Sequence, residues 1–424
     1  MIGVAVGNAA LSFTTVTSSH RRRTTVGAWI AAAILAACSA VVSPSVSLRP
    51  SAQTPASASL TTQWTGAARP TAGMSVEERA AIDSAALEAL ADHGDGATAL
   101  YIGIWDPVRG VYLRAYGEAS PGVPATLGDH NRIGSVTKTF TAVAVLQLVA
   151  DGRIGLSDTL ASVLPELSAR FPAIAPLTVD QLLGMRTGIG DFFGLNSFSE
   201  AFYADRAHVF TIEDIVAVAL EMRLPPAVAP SAAEYSNTNY VILGEILRVV
   251  SGRAANVVIT DLARSAGLKD TALQAPEDRR LPAPAAHGYV GPRYIADHGE
   301  LLPSGTLDGT DVSDWIPFGA GPAGGMYSTV EDLAAWAASG YGSSLLPIEL
   351  ANARLATPSG ADWDYGYGIM RVGDWIGHGG SVDGWVIDSA YNMATGAAWV
   401  MIVNSSGGDG VLQAIAQFLP DRPF

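Results

Sequence analysis

Polar and apolar positions divide the chain into three stretches with different rhythms. An apolar run over residues 26–37 follows Arg21, Arg22 and Arg23. It is too short to span a bilayer, which takes about 20 residues. Residues 39–72 are rich in Ser, Thr, Ala and Pro and show no period, as expected of a tether. Regular periodicity begins at Ser75-Val76-Glu77-Glu78, a capping box that predicts a helix to about Ala91. Strand-like runs at 97–105 and 111–117 flank the turn Asp106-Pro107-Val108-Arg109-Gly110. A second pair, 385–391 and 397–404, flanks Met393-Ala394-Thr395-Gly396, and a last helix is expected over about 410–419. Helical patterns fill the middle, among them 179–185, 212–222 and 240–250, the last closed by Gly252. These patterns predict an α+β protein, an α/β sandwich whose antiparallel sheet is built from both ends of the chain and flanked by helices. The α/β part is expected at about 74–175 and 314–424, with a helical subdomain inserted over about 176–313.

The leader has the order of a secretory signal: charged residues, an apolar core, then small residues in Leu35-Ala36-Ala37-Cys38. It resembles a bacterial lipobox, in which the cysteine becomes the lipidated first residue. Residues 1–37 are therefore expected to be a signal peptide, 38–73 a lipidated disordered tether and 74–424 the folded domain. The expected location is the outer, extracytoplasmic face of the cell membrane, held by a lipid on Cys38. The alternative is an ordinary signal peptide with an incidental cysteine. The long stretch before Arg21 leaves the true start open, and the residues after the arginine run fit twin-arginine export poorly. Cys38 is the only cysteine, which excludes an intramolecular disulfide.

Composition narrows the partners. Hydrophobic residues make up 49% and charged residues 15%, the balance of a compact globular protein. With the three leader arginines set aside from 25 basic residues, 40 acidic residues leave the body at −18. Such a surface repels nucleic acid and anionic lipid.

The chain holds only two lysines, Lys138 and Lys269. Arginine serves surface charge equally well but does not release its proton in a protein, whereas a buried lysine does. Lys138 lies three residues after Ser135 in an apolar helical run ending near Gly152. The spacing puts the two side chains on one helix face, with Cβ atoms roughly 5–6 Å apart. A serine hydroxyl needs a base to become a nucleophile, and an ammonium with an ordinary pKa of about 10.4 serves only once its site lowers that value. Ser135 beside a solvated lysine is the bland alternative. Tyr235-Ser236-Asn237 offers a phenol and an amide, or simply a polar loop capping a helix that begins near Asn239. His378-Gly379-Gly380 precedes a strand, where glycines admit a substrate backbone and the strand edge binds an extended peptide, or marks a tight turn.

Ser-x-x-Lys, Tyr-x-Asn and His-x-Gly follow one another 100 and then 143 residues apart. That order resembles the serine penicillin-recognising superfamily, in the branch of class C β-lactamases and Streptomyces-type D-alanyl-D-alanine carboxypeptidases. Further resemblance lies in "RIGSVTKTFTAVAVLQLVADGRIGLSD", "LTVDQLLGMRTGIGDF", "YSNTNYVILGEIL" and "AGGMYSTVEDLAAW", which spread it over residues 74 to about 405. It implies Ser135 as the acylated nucleophile, Lys138 as base or proton shuttle, and Tyr235 as general base and leaving-group acid. Asn237 would bind substrate, and His378 would stand where class C enzymes have lysine and their closest carboxypeptidases histidine. The backbone N–H groups of Ser135 and Ser381 would form the oxyanion hole. Gly379 departs from the pattern, since a hydroxyl residue that helps bind a substrate carboxylate is usual there. "GMRTG" at 184–188 also departs from the common His-Thr-Ser-Gly loop.

The implied function is a surface-tethered serine hydrolase working through an acyl-enzyme, D-alanyl-D-alanine carboxypeptidase-like on cell-wall peptides. A β-lactamase or esterase would use the same motifs, and a penicillin-binding lipoprotein without turnover is the non-enzymatic alternative. The expected partner is a small-molecule or peptidoglycan peptide substrate, and the expected state a monomer. Gly319-x-Gly321-x-x-Gly324 matches a dinucleotide fingerprint literally but lacks a βαβ setting and reads as a connection before a helix capped by Ser328 and Glu331. His208, His287 and His298 lack metal-ligand spacing. No metal or organic cofactor is implied.

Overall fold

The computed structural model describes residue 70 and residues 72–416, except 195, 206–207, 227–228, 301, 304, 316–320 and 357–363. Cys38, the leader, and nearly all of the tether lie outside the described residues, as do residues 417–424. Among the described residues no helix is long and apolar enough to cross a membrane.

β1 (Ala99–Asp106), buried along its whole length, lies inside an antiparallel sheet. One neighbour is β2 (Gly110–Ser120), followed by β3 (Val123–Pro124). The other is β12 (Ala398–Val403), with Leu100 opposite Val403 and Trp105 opposite Ala398. The Asn404 side chain extends this closure, accepting from the N–H groups of Thr98 and Ala99, 306 and 305 residues earlier. Beyond β12 come β11 (Trp385–Asn392), β9 (Trp375–Gly377), β8 (Met370–Val372) and β7 (Asp364–Tyr365), while β10 (Gly380–Val382) pairs with β11 beside β9. A small second sheet joins β4 (Asn131–Arg132), β6 (Met326–Ser328) and β5 (Ala272–Leu273).

The two faces of the main sheet carry separate cores. Leu100, Ile102 and Ile104 pack with α1 (Val76–His93) and α14 (Asp409–Ala416), and α1 opens with the expected Ser75–Glu78 capping box. Tyr101 and Trp105 belong to the other core, with α2 (Thr137–Ala150), α8 (Asn237–Ser251) and α12 (Val330–Ala338). Gly103 lets α12 come close, since a Cβ there would stand 3.2 Å from the Ala334 Cβ. α2 is buried almost all round, and Phe140 stacks on Trp336 of α12 at 4.0 Å.

Between α2 and β6 lie α3 (Leu160–Val163), α4 (Pro165–Arg170), α5 (Val179–Leu183), α6 (Asn196–Ala204), α7 (Ile212–Met222), α8, α9 (Ala255–Ser265), α10 (Pro292–His298) and α11 (Gly321–Gly324). α13 (Ile348–Leu355) follows α12. Two local expectations change. α8 begins at Asn237 rather than near Asn239, because the Ser236 and Thr238 hydroxyls both bond the Gly190 carbonyl and pin that turn. α12 is capped by Thr329, which accepts from the Asp332 N–H at 3.3 Å, while the Ser328 hydroxyl is engaged with Thr271. The glycine-rich segment, from Gly321 on, forms the single turn α11; Gly319 lies outside the described residues.

Candidate active site

Ser135 sits in a 3-10 turn, Gly134–Val136, that leads into α2. Gly134 has φ +49°, and a Cβ on it would stand 2.8 Å from the Ser381 nitrogen, so β10 presses against this turn only because the residue is glycine. One turn on, the Lys138 ammonium donates to Ser135 Oγ at 2.9 Å, Asn237 Oδ1 at 2.7 Å and the Ala323 carbonyl at 2.6 Å. All three protons of the ammonium are thereby used. Burial pushes the Lys138 pKa down to about 7, against the opposing pull of Asp191. Burial thus brings the free amine of Lys138 within reach near neutral pH.

Asn237 also donates to Asp191 Oδ2 at 3.0 Å, so its amide bridges Lys138 and Asp191. Burial pushes the Asp191 carboxyl up, while bonds from Asn237 and Phe193 and the charge on Lys138 pull it down. Sequence reasoning missed Asp191; its one signal is a lone acid in the apolar segment "GIGDFF". The 184–188 departure acquires a role here. Glu234 N–H donates to the Met185 carbonyl at 2.8 Å, and Thr187 Oγ1 bonds Asn239 Oδ1 at 2.6 Å. Arg186 pairs with Asp180 at 2.6 Å. The segment thus clamps the Tyr235–Asn239 stretch from both ends.

The Tyr235 ring lies against the Lys138 ammonium, 5.0 Å from the ring centroid to Nζ. Its hydroxyl is buried without a hydrogen bond of ordinary geometry among the described residues. Burial pushes this phenol far up, against the opposing effect of the nearby Ser135 hydroxyl, so it stays protonated. His378 and Tyr365 complete an aromatic cluster, their ring centroids 6.2 and 6.0 Å from that of Tyr235. The Gly379 carbonyl accepts from His378 Nδ1 at 2.5 Å, which leaves Nε2 as the acceptor for the Tyr365 hydroxyl at 3.1 Å. Burial, then the charge on Lys138, pushes the His378 pKa down to about 3. A histidine that meets a substrate carboxylate as a cation is therefore not what the fold supplies: His378 is neutral and already bonded on both nitrogens. Tyr365 was not foreseen, and its signal is the aromatic-glycine alternation "DYGYG".

On the facing wall, β9, His378, Gly379 and β10 keep one register along β11. Gly377 pairs with Ala390, His378 N–H donates to the Ser389 carbonyl at 3.2 Å, and Gly380 pairs with Ile387. Along an antiparallel strand successive N–H groups point to opposite sides. Those of His378, Gly380 and Val382 face β11, which turns those of Gly379 and Ser381 outward. β8 no longer covers that edge, since its pairing stops at Gly377. A Cβ on Gly380 would stand 2.3 Å from the Ile133 carbonyl oxygen and 3.3 Å from the Ser135 nitrogen. The outward Ser381 N–H is thus brought beside the Ser135 backbone. All the residues expected to act together from 135 to 381 converge on this cleft; Cys38 lies outside the described residues.

A family profile described as Beta-lactamase matches residues 86–420. The chain is 27% identical over 275 residues to penicillin-binding protein 4 of Amycolatopsis lactamdurans, covering 62% of this chain and 65% of that protein. It is 26% identical over 355 residues to esterase EstB of Burkholderia gladioli, covering 74% and 87%. Among solved structures, a D-stereospecific amidohydrolase from Streptomyces sp. shares 27% identity and a TM-score of 0.67, over 80% of this chain and 99% of that one.

Proposed function

The chain belongs to the Beta-lactamase family of serine hydrolases, and on that premise we propose that it hydrolyses amide bonds of D-amino-acid substrates through an acyl-enzyme at Ser135. Cell-wall peptides are the natural source of such substrates for a protein tethered outside the cell through Cys38. The observation that carries the reading is Lys138, wholly buried and 2.9 Å from Ser135 Oγ with its pKa lowered to about 7.

In this reading the free amine of Lys138 takes the proton from Ser135 Oγ as the oxygen attacks the carbonyl carbon. The N–H groups of Ser135 and Ser381 receive the negative charge that gathers on the carbonyl oxygen. Tyr235, held as a phenol, gives its proton to the departing amine and regains one from Lys138, which ends the step as it began. Water then attacks the ester and loses its proton to Lys138; as the ester C–O bond breaks and the carboxylic acid leaves, Lys138 returns that proton to Ser135 Oγ, 2.9 Å away. Of the two expected roles for Tyr235, this reading uses the acid, because burial disfavours the phenolate that a base would need.

Similarity to the D-stereospecific amidohydrolase supports the amide and the D configuration. Substrates ending in a free carboxylate, as for a carboxypeptidase or a β-lactamase, find less support. His378 is neutral and Gly379 has no hydroxyl, leaving the exposed Ser381 side chain for that contact. Similarity to an esterase, together with this uncharged leaving-group side, keeps simple esters as a second substrate class.

Intact-mass spectra after exposure to a fluorescent penicillin and to activated esters test the reading. The expected adduct lies on Ser135 and is absent in Ser135→Ala. An adduct on another residue, or turnover that survives Ser135→Ala, would overturn it. A panel of D- and L-amino-acid amides, D-Ala-D-Ala peptides and short esters then ranks the substrate classes.

A further inference from the structure

The cleft wall continues past Ser381 to Asp383, where β10 turns into β11. Only Val382 lies between them, so the two Cα atoms stand about 7 Å apart. The Asp383 carboxylate accepts from the Tyr294 hydroxyl of α10 at 3.0 Å. The Tyr203 hydroxyl of α6 reaches it from the helical side, 3.5 Å from each oxygen, the outer limit of hydrogen bonding. Tyr203 is backed edge-on by Trp315, ring centroids 5.6 Å apart. Among the described residues no cation lies within ion-pairing distance of Asp383. His298 and Arg132 act on it only at longer range. The Arg132 guanidinium is committed elsewhere, to Gln274 and the carbonyls of Arg279 and Ser313. A carboxylate has about four lone-pair positions, and here one is well filled. Asp383 nevertheless keeps partial exposure, as do Val382 and Tyr203 around it.

Desolvating a carboxylate without a counter-charge is costly, and protein interiors normally pair one. We propose that Asp383, framed by Tyr203 and Tyr294, binds the ammonium group of the substrate's acyl residue, so that the preferred substrates carry a free α-amine. This rests on the acyl-enzyme reading above, with the scissile carbonyl oxygen at the Ser381 N–H. The resemblance places the contact to a leaving-group carboxylate at position 379, and with the leaving group on that side the acyl residue would extend toward Val382 and Asp383. An α-nitrogen stands about 2.5 Å from its own carbonyl carbon, which puts it on the Asp383 side of the oxyanion position. The tyrosine hydroxyls hold the carboxylate in place, and the acidic body draws cations toward the site.

Asp383→Asn tests this, because it keeps an oxygen for the Tyr294 hydroxyl and removes the charge. Three substrates are compared: D-phenylalanine p-nitroanilide, its N-acetyl derivative, and p-nitrophenyl acetate. In the wild type the free amine is expected to be preferred, and that preference to fade as pH rises through the amine's pKa of about 8. In Asp383→Asn, kcat/KM for the free amine is expected to fall about 10–100-fold, the size of a lost hydrogen bond to a charged group, mainly through KM. The other two substrates should be unchanged, and Asp383→Glu should recover part of the loss. Equal use of the acetylated substrate by the wild type, or an equal fall on all three substrates, would overturn the proposal and leave Asp383 a latch between α6, α10 and the hairpin. Loss of ester turnover and of Ser135 labelling in the wild type would instead strike the acyl-enzyme reading.

Discussion

The two walls of the cleft are built on opposite plans. The helical wall is a closed polar circuit in which Lys138 makes three hydrogen bonds and Asn237 joins it to Asp191. The sheet wall contributes little side-chain chemistry; what it offers is the outward backbone N–H groups of Gly379 and Ser381, the latter proposed above as an oxyanion donor, where β8 stops short of His378. A circuit of side chains fails when one charge state changes. A backbone edge fails when one atom too many pushes it out of line.

The sharpest break of the helical wall is Lys138→Arg, which keeps the positive charge but cannot accept the Ser135 proton. Activity on amides and esters alike should drop about 10³–10⁴-fold, toward the top of the range for general-base catalysis, with a folded protein by circular dichroism. Retention within tenfold would make Lys138 an electrostatic residue and leave Ser135 without its base.

The corresponding break of the sheet wall is Gly380→Ala. Its Cβ would stand 2.3 Å from the Ile133 oxygen, a backbone atom, so β10 must shift away from Ser135. Loss of one aligned oxyanion donor predicts a fall of about 10²–10³ in kcat. Ser381→Ala is the matched control, since it keeps the N–H, and neutral esters should be turned over within a few-fold of wild type. If the two variants behave alike, the outward N–H is not the working group.

A smaller effect sharpens the contrast. Asp191 holds the Lys138 pKa up, so Asp191→Asn should lower it and move the acid limb of kcat/KM for a neutral ester to lower pH. The amide introduced by that substitution still meets Asn237, so an unchanged profile would assign Asp191 to packing alone. Smallest of all is the expected effect of His378 on pH dependence. With its pKa pushed down to about 3, it is neutral across pH 5–9, and only one rise, near 7 from Lys138, should appear. A second limb near 6.5 that vanishes in His378→Gln would show the histidine titrating in solvent.

Legibility in the sequence divides along the same line. Ser135 and Lys138 were readable from local spacing and lysine's rarity, because one helical turn is enough to join them. Tyr235, Asn237 and His378 read locally as a polar loop and a tight turn, and only the resemblance to a known family singled them out. Asp191, Tyr365 and Asp383 escaped because each acts through partners brought near by folding; Asp191 lies 46 residues from Asn237. The charge of His378 was beyond reach for a related reason, since burial sets it and no local pattern reports burial. In the fold, the long strands β1, β2, β11 and β12 were readable as strand-like runs paired across turn segments. The two- and three-residue strands β7 to β10 are too short to show a period, although they carry the oxyanion edge.

The pairing of β1 with β12 also sets a timetable. At synthesis rates of about 5–20 residues per second, the roughly 300 residues between them take about 15–60 s to emerge from the ribosome. Through that interval Leu100, Ile102 and Ile104 belong to a sheet missing its middle, and β10 has no β11 to hold it against Ser135. No nascent chain can bring Ser381 beside Ser135 in this register before β11 has emerged. A ribosome stalled short of β12 therefore yields an apolar, aggregation-prone fragment without hydrolase activity, and the cell bearing this protein has to shelter half a minute of unfinished sheet for every active molecule it makes.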